Sequence, residues 1–167
     1  MSFQDAIIAI NGLPKAGIVS DYAVGGAMAL IFWSEPVPTY DLDVFVLLPA
    51  AGGPIISLAP LYEWAGRHGF PVRQEHIVIS DVPVQIIPAH SDLAEEAVRE
   101  AVSVEYEGIA VRVIRPEHLI ALYLEPSART RKRLERVAAL LEGNAVDRPR
   151  LDSILSRHGF TLPEEHT

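Results

Sequence analysis

A chain of 167 residues, 49% hydrophobic and 22% charged, has the make-up of one globular domain with enough length to bury a sizeable core. Its 14 basic and 22 acidic residues leave a net charge of −8, which disfavours wide, non-specific nucleic-acid binding but not a local basic patch. There are no cysteines, which excludes disulfides and thiolate metal sites and gives no sign of an oxidising compartment.

The first residues, Met-Ser-Phe-Gln-Asp-Ala, carry no basic n-region of a signal peptide. The uncharged stretch 44–62 is broken by Pro49, Gly52, Gly53, Pro54 and Pro60, and so reads as strand, loop and helix start instead of a membrane span. A soluble cytoplasmic protein without a membrane partner is expected.

In chain order, residues 3–12 read as a short amphipathic helix ended by Gly12, with Pro14 as a stop. Residues 21–24 form a brief extended entry. Residues 26–33 are apolar with few β-branched side chains and read as a helix closed by Glu35-Pro36-Val37-Pro38. Residues 41–48 are strong strand formers, 50–54 a loop, and 58–68 a helix that tolerates Pro60 in its first turn. Two apolar runs, 72–80 and 82–88, flank Asp81 and predict a hairpin. Residues 91–102 open with Ser91-Asp92 as a cap, carry Glu95 and Glu96 early, and predict a helix. Residues 102–107 and 109–114 flank Gly108 as a second strand pair, and Pro116 opens a helix to about Leu124. From Ser127 the chain reads as mostly helical. Leu134, Val137, Ala138 and Leu141 fall on one helical face, Gly143-Asn144 ends that helix, and residues 147–157 make another, stopped by Gly159. The expectation is an α/β (α+β) fold, a mixed twisted sheet flanked by helices. Residues 1–125 form its core, and a short C-terminal helical segment, 126–167, packs on it within a single compact domain.

Two features carry chemistry. Gly25-Gly26 at the start of a helix leaves backbone N–H groups bare and lets a phosphate approach closely. Asp41 and Asp43 alternate with Leu42 on a strand, so both carboxylates face one way and repel unless a cation lies between them; oxygen ligands of this kind suit Mg²⁺ or Mn²⁺. Arg129, Lys132, Arg133 and Arg136 share one helical face. They read as a solvated stripe paired with Glu135 or Glu142, with triphosphate or RNA binding as the other reading. The histidines, His68, His118 and His158 among them, are scattered and predict no ligand. Trp33 and Trp64 are expected in the core.

Val24-Gly25-Gly26-Ala27, a short helix, and Thr39-Tyr40-Asp41-Leu42-Asp43-Val44 together resemble the signature of the polymerase-β-like nucleotidyltransferase superfamily. The likeness is to small prokaryotic members similar to the minimal nucleotidyltransferases and to abortive-infection type IV toxin nucleotidyltransferases. Val84-Gln85-Ile86-Ile87-Pro88 and the run 113–122 also look like that branch. The resemblance implies transfer of NMP from an NTP to an acceptor hydroxyl. Asp41 and Asp43 would be catalytic and hold Mg²⁺ or Mn²⁺, while Gly25, Gly26, Ala27, Thr39 and Gln85 would line the nucleotide. It implies a tRNA, protein or small-molecule acceptor, an antitoxin-type protein partner, and no extended DNA binding. Three positions depart from the family pattern. Gln85 stands where active members carry a third carboxylate, Ala27 where several have serine, and residues 121–124 lack a common lysine. These departures raise an alternative: a catalytically degenerate member that binds a nucleotide or a protein partner, related to toxin–antitoxin systems. A purely structural partner-binding module is the third reading.

Overall fold

The computed structural model describes residues 1–49 and 56–167; the loop expected over 50–54 lies outside the described residues. Helix α1 (Phe3–Lys15) starts at Ser2, whose hydroxyl accepts from the Asp5 N–H at 3.1 Å, and buries Ala6, Ile7, Ile10 and Leu13. It runs through Gly12 and Pro14 instead of ending at Gly12. Leu13 is fully buried, and sinking a leucine gives about 1.5–3 kcal/mol, more than the roughly 1 kcal/mol of the hydrogen bond that Pro14 cannot make.

The strands are β1 (Asp21–Val24), β2 (Leu42–Leu47), β3 (Val72–Arg73), β4 (His76–Ile79), β5 (Val82–Pro88), β6 (Val102–Tyr106) and β7 (Ile109–Val113). They form a mixed sheet in the order β3-β4-β5-β2-β1-β7-β6. At its centre β2 runs antiparallel to β1, pairing Val44 with Val24, and parallel to β5, pairing Asp43 with Gln85. On β2, Leu42, Val44 and Val46 are fully buried while Asp43, Phe45 and Leu47 take the other face, the alternation a half-buried strand requires. The expected single strand 72–80 is split, because Gln74 adopts a left-handed conformation (φ 55) between β3 and β4. The β4–β5 turn uses Ser80 (φ 50) and Asp81 (φ 63), and the β6–β7 turn uses Glu107 (φ 48) and Gly108 (φ 80). Two successive positive φ angles match the twist of a tight hairpin.

The helices that follow are α2 (Gly26–Trp33), α3 (Ala59–Arg67), α4 (Asp92–Arg99), α5 (Pro116–Tyr123), α6 (Arg131–Glu142) and α7 (Arg148–His158). Helix α4 begins at Ser91, whose Oγ accepts from the Ala94 N–H at 3.1 Å, and ends at Arg99, short of the expected 102 because Val102 already pairs with Val113 in the sheet. α1 lies against β1, β4, β5 and β7, and α4 against β1 and β2. Helices α6 and α7 pack on α5, with Thr130 and Asp147 capping their first turns. Trp64 is buried, and Trp33 is half-buried with its indole N–H on the Ile114 carbonyl at 2.8 Å.

Candidate active site

The chain leaves β1 at Val24, turns at Gly25, and enters α2 at Gly26. This turn lies tight on β2. The Gly25 N–H donates to the Asp43 carbonyl at 2.9 Å. A side chain on Gly25 would meet the Phe45 ring at 2.6 and 2.9 Å. Gly26 has φ +59, and a side chain there would fall on the Asp43 carboxylate. No side chain caps α2 and no acidic residue lies in its first turn, so the leading N–H groups keep their positive ends free. Ala27 sits half-buried in that turn.

Asp43 is half-buried at the middle of this arrangement. Burial pushes its carboxyl above the ordinary range and Asp41 pushes it further, while Arg136, His76 and Arg133 pull the other way. Asp41 is exposed and lies one residue ahead of β2, which starts at Leu42 instead of at Asp41 as expected; the ladder with β5 begins only at the Leu42–Val84 pair. The Thr39 hydroxyl donates to the Asp41 carbonyl at 3.0 Å and braces that approach. Gln85 stands directly opposite Asp43. The structure therefore draws Gly25, Gly26, Asp43 and Gln85 together, with Asp41 close enough to act on Asp43 electrostatically and Thr39 on the approach.

Sequence reasoning missed Tyr123 and His76, and it read Arg133 and Arg136 first as part of a solvated stripe and only second as a triphosphate site. Arg133 and Arg136 hold their guanidinium carbons 5.8 Å from the Tyr123 ring centre, a cation–π arrangement. Tyr123 is 5% exposed, its hydroxyl buried beneath the two arginines. Burial raises its pKa, the two arginines lower it, and Asp43 raises it again, so all four side chains share one electrostatic environment. The basic stripe thus divides. Arg129 precedes the helix and donates to the Leu124 carbonyl at 3.2 Å, Lys132 is exposed, and Arg133 and Arg136 act on Asp43, while Glu135, expected to pair with the stripe, pairs instead with Arg131 outside it. The spacing of the two arginines was visible in the sequence; the tyrosine beneath them was not.

A second cluster joins α4, α5 and α7. Donor atoms of Glu96, Glu100 and His118 lie within 4.8 Å of one another. The fully buried His118 approaches Glu96 at 2.9 Å and Glu100 at 3.1 Å through Nε2, and His158 reaches Glu96 at 3.3 Å. Arg157 donates to the other Glu96 oxygen at 2.8 Å. The expectation of scattered histidines fails here, because the fold brings residues 96, 118 and 158 together. The donor types suit a cation. Yet the Glu96 oxygens are already taken by Arg157, His118 and His158, and His118 Nδ1 is buried without a partner among the described residues, so the cluster reads as a charge-assisted hydrogen-bond latch closed on Glu96. Burial opposes the charged form of Glu96, but the hydrogen bonds from Arg157, His118 and His158 together outweigh it and hold its pKa down to about 2. A depressed carboxylate contributes stability that is present above its ordinary 4.5 and lost as pH falls toward about 2. Glu96→Gln is expected to flatten the acid limb of a stability–pH curve across that window. At neutral pH it lowers the melting temperature by about 6 °C, the counterpart of losing charge-assisted hydrogen bonds of about 2 kcal/mol. Thermal melts from pH 7 to 2 decide this, and an unchanged acid limb excludes the latch.

No helix among the described residues is long and apolar enough to cross a membrane. No protein-family model matches the chain, and no curated protein matches it. Solved structures do. The mixed seven-stranded sheet with its flanking helices shares its fold with solved nucleotidyltransferase structures. ANT(2'')-Ia in complex with adenylyl-2''-tobramycin matches over 93% of this chain and 97% of its own, with a TM-score of 0.55 and 17% identity. The solution structure of the antibiotic-resistance factor ANT(2'')-Ia gives a TM-score of 0.53 at 18% identity over 93% of this chain and 91% of its own. An antigenic nucleotidyltransferase-like protein from Paracoccidioides brasiliensis gives 0.53 at 14% identity over 92% and 84%. At such identities the likeness is one of fold.

Proposed function

We propose that the protein is a metal-dependent nucleotidyltransferase of the cytoplasm, moving NMP from an NTP to an acceptor hydroxyl. The observation that carries this reading is the seating of the bare α2 N-terminus directly against the Asp43 strand, with the Asp43 carboxylate where a side chain on Gly26 would be. The glycine turn offers N–H groups to phosphate oxygens, and the carboxylates beside it offer hard oxygen ligands. Asp41 and Asp43 would hold Mg²⁺ or Mn²⁺. The fit is supported by Asp43 itself, whose carboxylate is disfavoured by burial and by Asp41 and so gains from a cation. Such a metal neutralises triphosphate charge and activates an attacking hydroxyl.

The remaining parts bind and orient. Gly25, Gly26, Ala27 and Thr39 frame the triphosphate side. Gln85 lines the site as a neutral donor and acceptor. Arg133 and Arg136 supply the positive charge that the absent lysine of 121–124 would otherwise give, and the buried Tyr123 ring beneath them holds both guanidinium groups in place. Arg136→Ala is expected to weaken ATP binding about tenfold or more, the effect of losing one charge-assisted contact, while the melting temperature stays within a few degrees. Isothermal calorimetry with ATP and Mg²⁺ measures it, and an unchanged Kd removes Arg136 from the site.

The acceptor is tested as a class. Label from each α-labelled NTP is offered, with Mg²⁺ or Mn²⁺, to tRNA, protein and small hydroxylated compounds. Aminoglycosides belong in that panel because a fold neighbour is seen with adenylyl-2''-tobramycin. Transfer by wild type that Asp43→Ala lacks supports the reading. Complete silence equal to that control overturns it. Calorimetric nucleotide binding without transfer is the result that a catalytically degenerate member would give.

A further inference from the structure

We infer that His76 is the base that takes the acceptor's proton, in place of the carboxylate missing at position 85; this rests on the nucleotidyl-transfer reading above. The sheet register carries it. Across β4 and β5, His76 stands opposite Gln85, and across β5 and β2, Gln85 stands opposite Asp43. The Gly25 N–H then closes on the Asp43 carbonyl at 2.9 Å. Residues directly opposite in a ladder place their side chains on the same face. His76, Gln85 and Asp43 therefore form one row across the sheet, and the row ends at the glycine turn where the triphosphate is placed.

The spacing suits the role. Neighbouring strands lie about 4.8 Å apart, so the backbones at His76 and Asp43 are separated by about 10 Å. That span admits an acceptor hydroxyl and an α-phosphate between an imidazole at one end and a carboxylate at the other. Gln85 occupies the middle, and an amide takes no proton at neutral pH. Imidazole is the side chain whose ordinary titration falls near physiological pH, as base work requires. His76 is half-buried and close enough to Asp43 for the two side chains to interact electrostatically. Of the charged groups, Arg73 stands opposite it on β3 and Asp43 shares its row two strands away, while Asp41, Arg133 and Arg136 act on the Asp43 end of that row.

In the step, the acceptor O–H proton passes to a His76 ring nitrogen and the acceptor oxygen bonds to the α-phosphorus. The α–β phosphorus–oxygen bond breaks, and its electron pair leaves on pyrophosphate. His76 touches the reacting hydroxyl and returns its proton to solvent after turnover.

The experiment uses the full chain with α-labelled ATP and Mn²⁺, and tobramycin or tRNA, whichever takes label from wild type. His76→Ala is expected to lower kcat about a hundredfold or more. Calorimetric ATP affinity stays within twofold, and the acid limb of the pH profile of kcat/KM disappears. Gln85→Asp in the His76→Ala background restores much of the rate, because it returns a carboxylate to the row. His76→Gln, checked by thermal melting, separates a lost base from a lost fold. If wild type transfers label and His76→Ala keeps both its kcat within threefold and its acid limb, the inference falls and the transfer reading stands. If wild type is silent with every acceptor, the transfer reading falls and takes this inference with it.

Discussion

Asp43→Asn is expected to silence nucleotide transfer while raising thermal stability. The two effects have one origin. Asp43 lies half-buried against Gly26, and burial, reinforced by Asp41, lifts its pKa above the ordinary 3.8 despite Arg136, His76 and Arg133. A raised carboxyl means that the folded chain holds the proton more tightly than the unfolded chain. The stability tied to that proton is fully present below the ordinary value and is lost as pH rises through the raised one. At neutral pH the ionised carboxylate therefore works against the fold, and the neutral amide of the same shape removes that penalty. Melting curves should place Asp43→Asn above wild type at pH 7, with the gap closing toward pH 3. Mg²⁺ should raise the wild-type melting temperature and leave the variant unmoved, since ligands stabilise only the form that binds them. Transfer should fall by at least about a hundredfold, the scale set by removing one charge-stabilising group from a transition state. A lower melting temperature for Asp43→Asn at pH 7 would show that the carboxylate is a structural anchor and not a metal ligand held in reserve.

What the sequence made legible follows from how local each signal is. Helix α2 was bounded correctly at Gly26 and Trp33 because a glycine pair opens it and a proline-rich turn closes it, both short-range chemistry. The hairpins around Asp81 and Gly108 were equally local. Helix α1 was read too short because Leu13 is buried by distant strands, a tertiary gain that no window around Gly12 contains. The site divides along the same line. Gly25-Gly26 and Asp41-x-Asp43 could be read from spacing, whereas His76 joins Asp43 through two strand registers, and Tyr123 with Arg133 and Arg136 joins it through the packing of α5 and α6. The Glu96, His118 and His158 cluster spans three helices and left no periodic trace. Registers and helix crossings are set by the whole core, so residues that depend on them stay hidden until the fold is known.

Gly26→Ala is expected to abolish nucleotide binding without removing any charge or hydrogen-bond donor. Gly26 sits at φ +59, where an L-residue is disfavoured by about 1–2 kcal/mol. The added methyl group also falls on the Asp43 carboxylate, so either the turn opens or Asp43 swings off its position. Both movements damage the same place, the junction of the N–H groups proposed to bind phosphate and the carboxylate proposed to bind metal. The expected stability loss is therefore modest, about 2 kcal/mol or about 6 °C, while ATP affinity by calorimetry drops beyond detection. Gly25→Ala is the informative contrast. Its methyl group meets Phe45 ring atoms at 2.6 and 2.9 Å and the Ile114 side chain at 3.3 Å, all apolar neighbours at the edge of the core. Its damage is steric, and Phe45→Leu in the same chain should recover part of its stability, a coupling that a double-mutant cycle measures. No such companion substitution should rescue Gly26→Ala, because the group its methyl displaces is the carboxylate that the site requires. Equal ATP affinity in Gly26→Ala and wild type would separate the glycine turn from the nucleotide and reduce Gly25-Gly26 to a packing device between β2 and α2.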